Sequence, residues 1–384
     1  MLTPAGCTVR RQRFWAQLPD PRPDAVLVVD PLHLNYLANF WASPFTFRSQ
    51  GAAAALLLTA DGKARLVADN LLEPYAALAH VDERIVPTWY DGRHAPGGRG
   101  TLLWETVGEL VRSCVPAVGS LGIDSPLGGV AGTWVRTQVD VEPVLRRLRQ
   151  CKEPDELELL RRSARASGVG LRRAREEARP GLSELDLFHV VQAAVQHELG
   201  EPVPIYGDFV SGPRTAAGGG GPSSRRLEVG DLVLFDFSPV IHGYRADVCT
   251  TFVVGGDFDA EQARCAQACR AALAAGAALL RPGQSAQSVY AAVRQVFQEH
   301  GLADRFPHHA GHGIGLSHPE APFLTELSNE TLAPGMVVTL EPGVYFPDRW
   351  GMRFEHDFLI TDRGCVPLTD HEPGLAEALG GACG

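Results

Sequence analysis

Two well-separated stretches of this chain open with the same punctuation. Arg179-Pro180-Gly181-Leu182-Ser183 leads into apolar Leu187, Val190, Val191, Ala194 and Val195 at helical spacing. Arg281-Pro282-Gly283-Gln284-Ser285 leads into Val289, Ala292, Val293, Val296 and Phe297, then Gly301. Ser183 suits an N-cap, and Asp186 places negative charge in the first turn. Each copy follows an alanine- or leucine-rich helical segment and precedes a glycine-punctuated strand region. We read a duplicated helix-plus-hairpin unit related by a pseudo-twofold axis, and an α+β fold class.

Between and after the copies lie five chemically conspicuous residues. Asp236 ends the apolar run Val233-Leu234-Phe235, and Asp247 follows eleven positions later. A buried ionised carboxylate is costly unless paired or metal-bound. Gly243-Tyr244 would turn the chain back, so that two adjacent antiparallel strands present both carboxylates to one point. One strand-end Asp alone reads as a turn or cap residue. Glu341, after Val337-Val338-Thr339-Leu340, and Glu355, after Met352-Arg353-Phe354, repeat the setting. His312 sits in Gly311-His312-Gly313-Ile314-Gly315. Four carboxylates and one imidazole suit one or two hard divalent cations, with Mn, Fe, Co and Zn all admitted by the single imidazole.

At 384 residues the chain exceeds one ordinary core, so two domains are expected. Its 45% apolar and 21% charged content is globular. A net charge of -10 argues against nucleic acid as a main partner, because phosphate binding needs a basic face. The start, Met1 through Arg11, leads into no apolar signal core. The longest apolar run, Ala52 to Leu58, is too short to span a bilayer. A soluble cytoplasmic protein without membrane partners is the expectation. The eight cysteines are scattered without a CxxC. Cys265 and Cys269 share a helix face, but buried free thiols fit better than a zinc site.

Residues 1–150 alternate strand and helix signals and predict a small α/β domain. Ala25 to Val29 and Ala54 to Leu58 read as buried strands, the second closed by Asp61-Gly62 with Arg65 to Ala68 as its hairpin partner. Leu102 to Val111 reads as a helix, Gly119 to Ile123 as a strand, and His94 to Gly100 as a surface loop. The boundary falls near Cys151-Lys152-Glu153-Pro154. Pro154 and Asp155 then start a long helix with Leu157, Leu159, Leu160, Ala164 and Val169 on its apolar side. Residues 151–384 form the second domain.

Taken together, these motifs resemble the pita-bread metallopeptidases, the family of methionine aminopeptidase, aminopeptidase P and prolidase. The resemblance covers nearly the whole chain: all five ligand motifs occur in order. Leu34-Asn35-Tyr36-Leu37 resembles the creatinase-type N-terminal domain, and Cys151 to Glu156 the start of the catalytic domain. It implies a pita-bread (creatinase/aminopeptidase) catalytic domain preceded by a smaller α/β domain, and two divalent metal ions, manganese first, with Co, Zn or Fe also suited. Asp236 would chelate one ion, Asp247 and Glu355 would bridge both, and His312 and Glu341 would complete the second. A bridging water would become hydroxide near neutral pH. Glu341 would also be the general base, Arg353 would steady the site, and His308 would lie near the substrate. The implied reaction is hydrolysis of Xaa-Pro bonds, in dipeptides or at longer N-termini, by a homodimer.

Two positions depart from the family pattern. The histidine expected seven after His312 falls on Pro319, with His318 one residue early and able to substitute only if the backbone shifts. The usual substrate-contacting histidine falls on Gly219, inside the run Gly218 to Gly221. That run is no phosphate cradle, since no Lys-Ser/Thr follows, and reads as a flexible loop beside the cleft. These departures leave open a metal-dependent hydrolase or lyase acting on a small non-peptide substrate, and a non-catalytic family member.

Overall fold

The computed structural model describes residues 1–45, 53–116, 119–125, 134–369 and 371. Ala52 and Cys383 lie outside them. The chain divides into two compact units, Met1–Arg149 and a second beginning at Gln150.

The first unit is built on one six-stranded sheet. Its elements are α1 (Pro4–Gln17), β1 (Ala25–Val28), α2 (Pro31–Ala38), β2 (Ala54–Thr59), β3 (Ala64–Ala68), α3 (Glu73–Ala76), β4 (Glu83–Ile85), α4 (Arg99–Cys114), β5 (Ser120–Ile123), β6 (Thr137–Asp140) and α5 (Glu142–Gln150). The strand order is β4-β3-β2-β1-β5-β6. Fully buried β1 and β2 pair antiparallel, and Leu27, Leu57 and Val67 pack against Leu103, Val107 and Val111 of α4. Asp30 caps α2 by accepting from the Leu32 amide at 2.7 Å. The strands and hairpin fall where the sequence places them. Helix α1, capped by Thr3, is additional, and α4 begins at Arg99, inside the stretch expected to be loop.

The second unit repeats itself. Its first half runs α6 (Pro154–Glu177), α7 (Glu184–Leu199), β7 (Ile205–Ser211), β8 (Leu232–Ile241), β9 (Tyr244–Arg245) and β10 (Val248–Val253). The second half runs α8 (Ala260–Ala277), α9 (Ala286–Glu299), β11 (Gly311–Gly313), β12 (Glu320–Leu324), β13 (Val337–Leu340), β14 (Gly343–Phe346), β15 (Trp350–Arg353), β16 (His356–Ile360) and β17 (Cys365–Pro367). One sheet is ordered β10-β8-β7 and the other β12-β11-β13-β16-β17. Both Arg-Pro-Gly-x-Ser segments do the same work. Gly181 N–H donates to Leu227 O and Leu227 N–H to Leu182 O, at 2.9 and 2.8 Å. Gly283 and Leu332 with Gln284 make the matching pair, both at 2.9 Å. Ser183 and Ser285 then start α7 and α9.

A tight backbone crossing is duplicated as well. Gly207 (φ 151°) and Gly311 (φ 157°) lie where a Cβ would overlap a carbonyl oxygen, that of Asp236 in one half and Thr339 in the other. Only glycine fits either place. The architecture is the α+β pita-bread arrangement that the motifs imply. Among the described residues no helix is long and apolar enough to cross a membrane.

Two local expectations are corrected. Asp236 does not end its strand but sits midway along the ten-residue β8, opposite Asp208 on β7 and Cys249 on β10. The turn before Asp247 is centred on His242-Gly243, one residue earlier than expected. Both have positive φ (47° and 88°), as a two-residue type I′ hairpin requires.

Candidate metal centre

Alternation along β8 sets the site. Val233, Phe235 and Phe237 point into the core, so Asp236 and Ser238 share the opposite face. Ser238 Oγ donates to Asp247 Oδ1 at 3.1 Å, and the Asp247 amide donates to Asp357 Oδ2 at 3.0 Å. Glu355, between β15 and β16, exchanges backbone hydrogen bonds with Cys249 of β10 at 3.0 and 3.4 Å. That bridge joins the two halves and brings Glu355 beside Asp236 and Asp247. Glu341 follows β13, its amide donating to Ala310 O at 3.0 Å, and His312 lies on neighbouring β11.

One oxygen each of Asp236, Asp247 and Glu355 lie within 4.8 Å of one another, as do ligand atoms of His309, His312 and Glu341 and of Asp247, His312 and His318. His312 ties the groups together: its Nε2 is 3.7 Å from Asp247 Oδ2 and 3.5 Å from Glu341 Oε1. Its Nδ1 lies 2.9 Å from Gly313 O. Donation to that carbonyl fixes the tautomer and leaves the Nε2 lone pair facing the carboxylates. All five candidate ligands line one cleft of about 580 Å³, a size usual for a small-ligand site.

The electrostatics of the cluster are those of a cation site. Burial, opposed by Arg353 and reinforced by Asp247 and Glu341, pushes Asp236 up to about 7. Burial and the same neighbours push Glu355 well above the carboxylate range. Both Glu355 oxygens are buried with no hydrogen-bond partner among the described residues. Orphaned buried carboxylate oxygens beside two further carboxylates fit ligation of a divalent cation, which would neutralise the repulsion. Glu341 behaves differently. Burial would raise it, but the His309 hydrogen bond at 2.9 Å and the nearby His312 bring it down to about 2. The neighbouring Cys249 is buried and its thiol is pushed well up, chiefly by burial, so it is no thiolate nucleophile.

The other candidate residues line the same cleft. Arg353 donates from Nε to Asp236 Oδ2 at 2.8 Å, from Nη1 to Tyr345 Oη at 2.8 Å and Gly218 O at 2.9 Å, and from Nη2 to Asp208 and Asp236. His308 Nδ1 lies 2.8 Å from His309 O, and its Nε2 lies 3.2 Å from Tyr345 Oη. Burial lowers His308 to about 4, so it is neutral at pH 7. His318 reaches Asp247 Oδ2 with Nε2 at 2.6 Å, and that hydrogen bond raises its pKa. Where Pro319 supplies no imidazole, the adjacent His318 presents one to the cleft.

At the second departure, a Cβ on Gly219 would collide with the Asp208 carboxylate. The glycine run is pinned rather than loose: Gly220 N–H donates to Asp208 Oδ1, Phe209 N–H to Gly220 O and Arg214 Nη2 to Gly221 O, each at 2.8 Å.

Sequence reasoning missed His309, Tyr345 and Asp208. Tyr345 carried a signal: it lies two and four places from Gly343 and Glu341, the spacing of one strand face. His309 and Asp208 carried none beyond their neighbours.

Comparison with known proteins agrees with this geometry. Residues 158–362 match the model of metallopeptidase family M24, and residues 10–151 match the creatinase/prolidase N-terminal domain. The probable dipeptidase PepE of Mycobacterium tuberculosis is 33% identical over 352 residues, 90% of each chain. The Xaa-Pro dipeptidase of Pyrococcus furiosus is 30% identical over 235 residues, 61% of this chain and 67% of that one. The crystal structure of dipeptidase PepE from Mycobacterium ulcerans superposes with a TM-score of 0.78 at 27% identity, over 96% of this chain and 97% of the other. The family is one of metallopeptidases, which implies divalent metal ions, and the carboxylate and histidine groups of the cleft are candidates to hold them. In sequence, in fold and in the chemistry of its cleft, this chain belongs to metallopeptidase family M24.

Proposed function

We propose that this protein hydrolyses Xaa-Pro peptide bonds with two divalent cations held by Asp236, Asp247, His312, Glu341 and Glu355. Manganese is the first choice of ion, in a cytoplasmic homodimer acting on small peptides with proline second. The observation that carries this reading is the convergence of buried Asp247, Glu341, Glu355 and His312 with half-buried Asp236 in a peptide-sized cleft. Its 30% identity to a protein named Xaa-Pro dipeptidase supports the substrate.

Divalent cations bound there polarise a carbonyl and bring the acidity of water into the neutral range. The chain's own residues do the rest. Glu341, kept ionised by His309 and His312, accepts the attacking water's proton and passes it to the leaving nitrogen. His318, its pKa raised, donates to the oxyanion as the scissile carbon becomes tetrahedral. Neutral His308, joined through Tyr345 to Arg353, shapes the substrate side of the cleft without adding charge. Arg353 holds Asp236 in place.

The test is hydrolysis of Ala-Pro against Ala-Ala, and of longer Ala-Pro peptides, by protein loaded with Mn, Co or Zn. Release of the N-terminal residue from Ala-Pro substrates alone is expected. Absence of turnover with all three metals overturns the reading.

A further inference from the structure

A sixth donor stands in the cleft beside the five candidate ligands. His309 is half-buried in the cleft wall, and its Nε2 lies 2.9 Å from Glu341 Oε1. His312 Nε2 lies 3.5 Å from the same oxygen, and ligand atoms of the three residues lie within 4.8 Å of one another. Ala310 fixes this arrangement. Its carbonyl accepts from the Glu341 amide at 3.0 Å, and its own amide donates to Leu324 O at 2.9 Å. The two rings meet edge to face, with centroids 5.5 Å apart and planes at 77°.

Donors held ~2.1 Å from one ion stand ~3.0 Å apart at a right angle and ~3.4 Å apart at a tetrahedral angle. The separations of 2.9 and 3.5 Å from Glu341 are of that size. His318 differs: its Nε2 is 2.6 Å from Asp247 Oδ2, closer than two donors to one ion stand, and fits a short charge-assisted hydrogen bond. In the metal-free chain the 2.9 Å contact is a hydrogen bond that His309 donates to Glu341. A cation takes the place of that proton when the ring binds through Nε2 and keeps its hydrogen on Nδ1. The group of Asp236, Asp247 and Glu355 offers oxygen only. Oxygen suits manganese, whereas imidazole raises the preference for zinc and cobalt.

We propose that His309 is a sixth protein ligand, so that the metal position at His312 and Glu341 carries two imidazoles and selects zinc or cobalt over manganese. The inference rests on the proposed metal centre. Manganese fits both positions and is held more weakly than zinc at this one.

The test uses the full chain with histidines labelled by nitrogen-15, first metal-free and then loaded with zinc. Proton–nitrogen spectra separate a metal-bound imidazole nitrogen from a protonated one, and His309 is identified by the signal lost in His309→Gln. Zinc is expected to shift Nε2 of both His309 and His312 to the metal-bound position. The wild-type count of zinc-bound rings, two against one, needs no variant. A His309 Nε2 that keeps its proton while His312 binds zinc overturns the sixth ligand and leaves the five-ligand centre standing. No response from either ring overturns both. In competition titrations His309→Gln is expected to weaken zinc by at least about 10- to 100-fold, the cost of losing even an outer partner of a ligand, and manganese by less. Equal losses for the two metals make His309 a hydrogen-bonding partner of Glu341 only and overturn the proposal.

Discussion

Glu341 carries two roles in one carboxylate, candidate ligand and candidate base, and His309 serves both by keeping it ionised. Glu341→Gln keeps the shape and removes the charge. We expect its kcat to fall by about 10²- to 10⁴-fold, measured on Ala-Pro at saturating metal. Tyr345 has a different kind of role. Its hydroxyl accepts from Arg353 and faces His308, so Tyr345→Phe strands a buried guanidinium donor. A loss of about 1–3 kcal/mol in urea unfolding is expected, together with reduced activity. The gathering of these carboxylates and His312 in one place was legible because charge inside an apolar strand has few explanations other than pairing or metal. His309 was not, because a second histidine beside the first reads equally well as core or surface, and the strand-face spacing of Tyr345 is one that core aromatics share. Asp208 was hidden for another reason: its importance comes from β7 pairing with β8, a contact no local pattern announces.

The repeated Arg-Pro-Gly-x-Ser element was legible because a helix start has its own chemistry. Both copies start a helix and clasp a later segment, at Leu227 and Leu332, through the same amide exchange. The meeting of the halves at Cys249 and Glu355 was not legible, because register between distant segments is set by the completed sheets. The duplicated backbone crossing gives an element-level prediction. Gly207→Ala and Gly311→Ala should each destabilise by at least about 1–3 kcal/mol from backbone strain alone. Gly256→Ala, with open space around it and an ordinary φ, should stay within about 0.5 kcal/mol. Parallel denaturant melts of the three variants check both statements. Equal melts for all three would contradict the crossing.

At the scale of the second unit, Asp208, Asp236, Asp247, Glu341 and Glu355 are gathered on the wall of one cleft. Asp236, raised to about 7, holds a proton in the folded chain at pH 6.5 that the unfolded chain has already released, and burial raises Glu355 in the same direction. The folded state then binds more protons, so metal-free stability falls as pH rises from 6.5 to 8. His309 and His318, raised by their carboxylate partners, act in the same sense over that window. His308 and His312 are lowered and oppose it only below their ordinary pKa. A bound cation replaces those protons, so the Tm gained on adding Mn should grow between pH 6.5 and 8. A gain that shrinks over that range contradicts the buried carboxylate cluster. The two-domain frame and the metal chemistry were visible in the sequence at this scale. Substrate length was not, because it depends on how the folded cleft is closed off, which no local pattern announces.

The central claim is that the cleft carboxylates and His312 hold the ions that hydrolyse an Xaa-Pro bond. Its most direct test is the rate of Ala-Pro hydrolysis as metal-free protein is titrated with Mn. We predict no turnover at the start and a rise to a plateau at two equivalents per chain, with no rise in Glu355→Gln. Full activity before metal is added, or an undiminished plateau in Glu355→Gln, would contradict it.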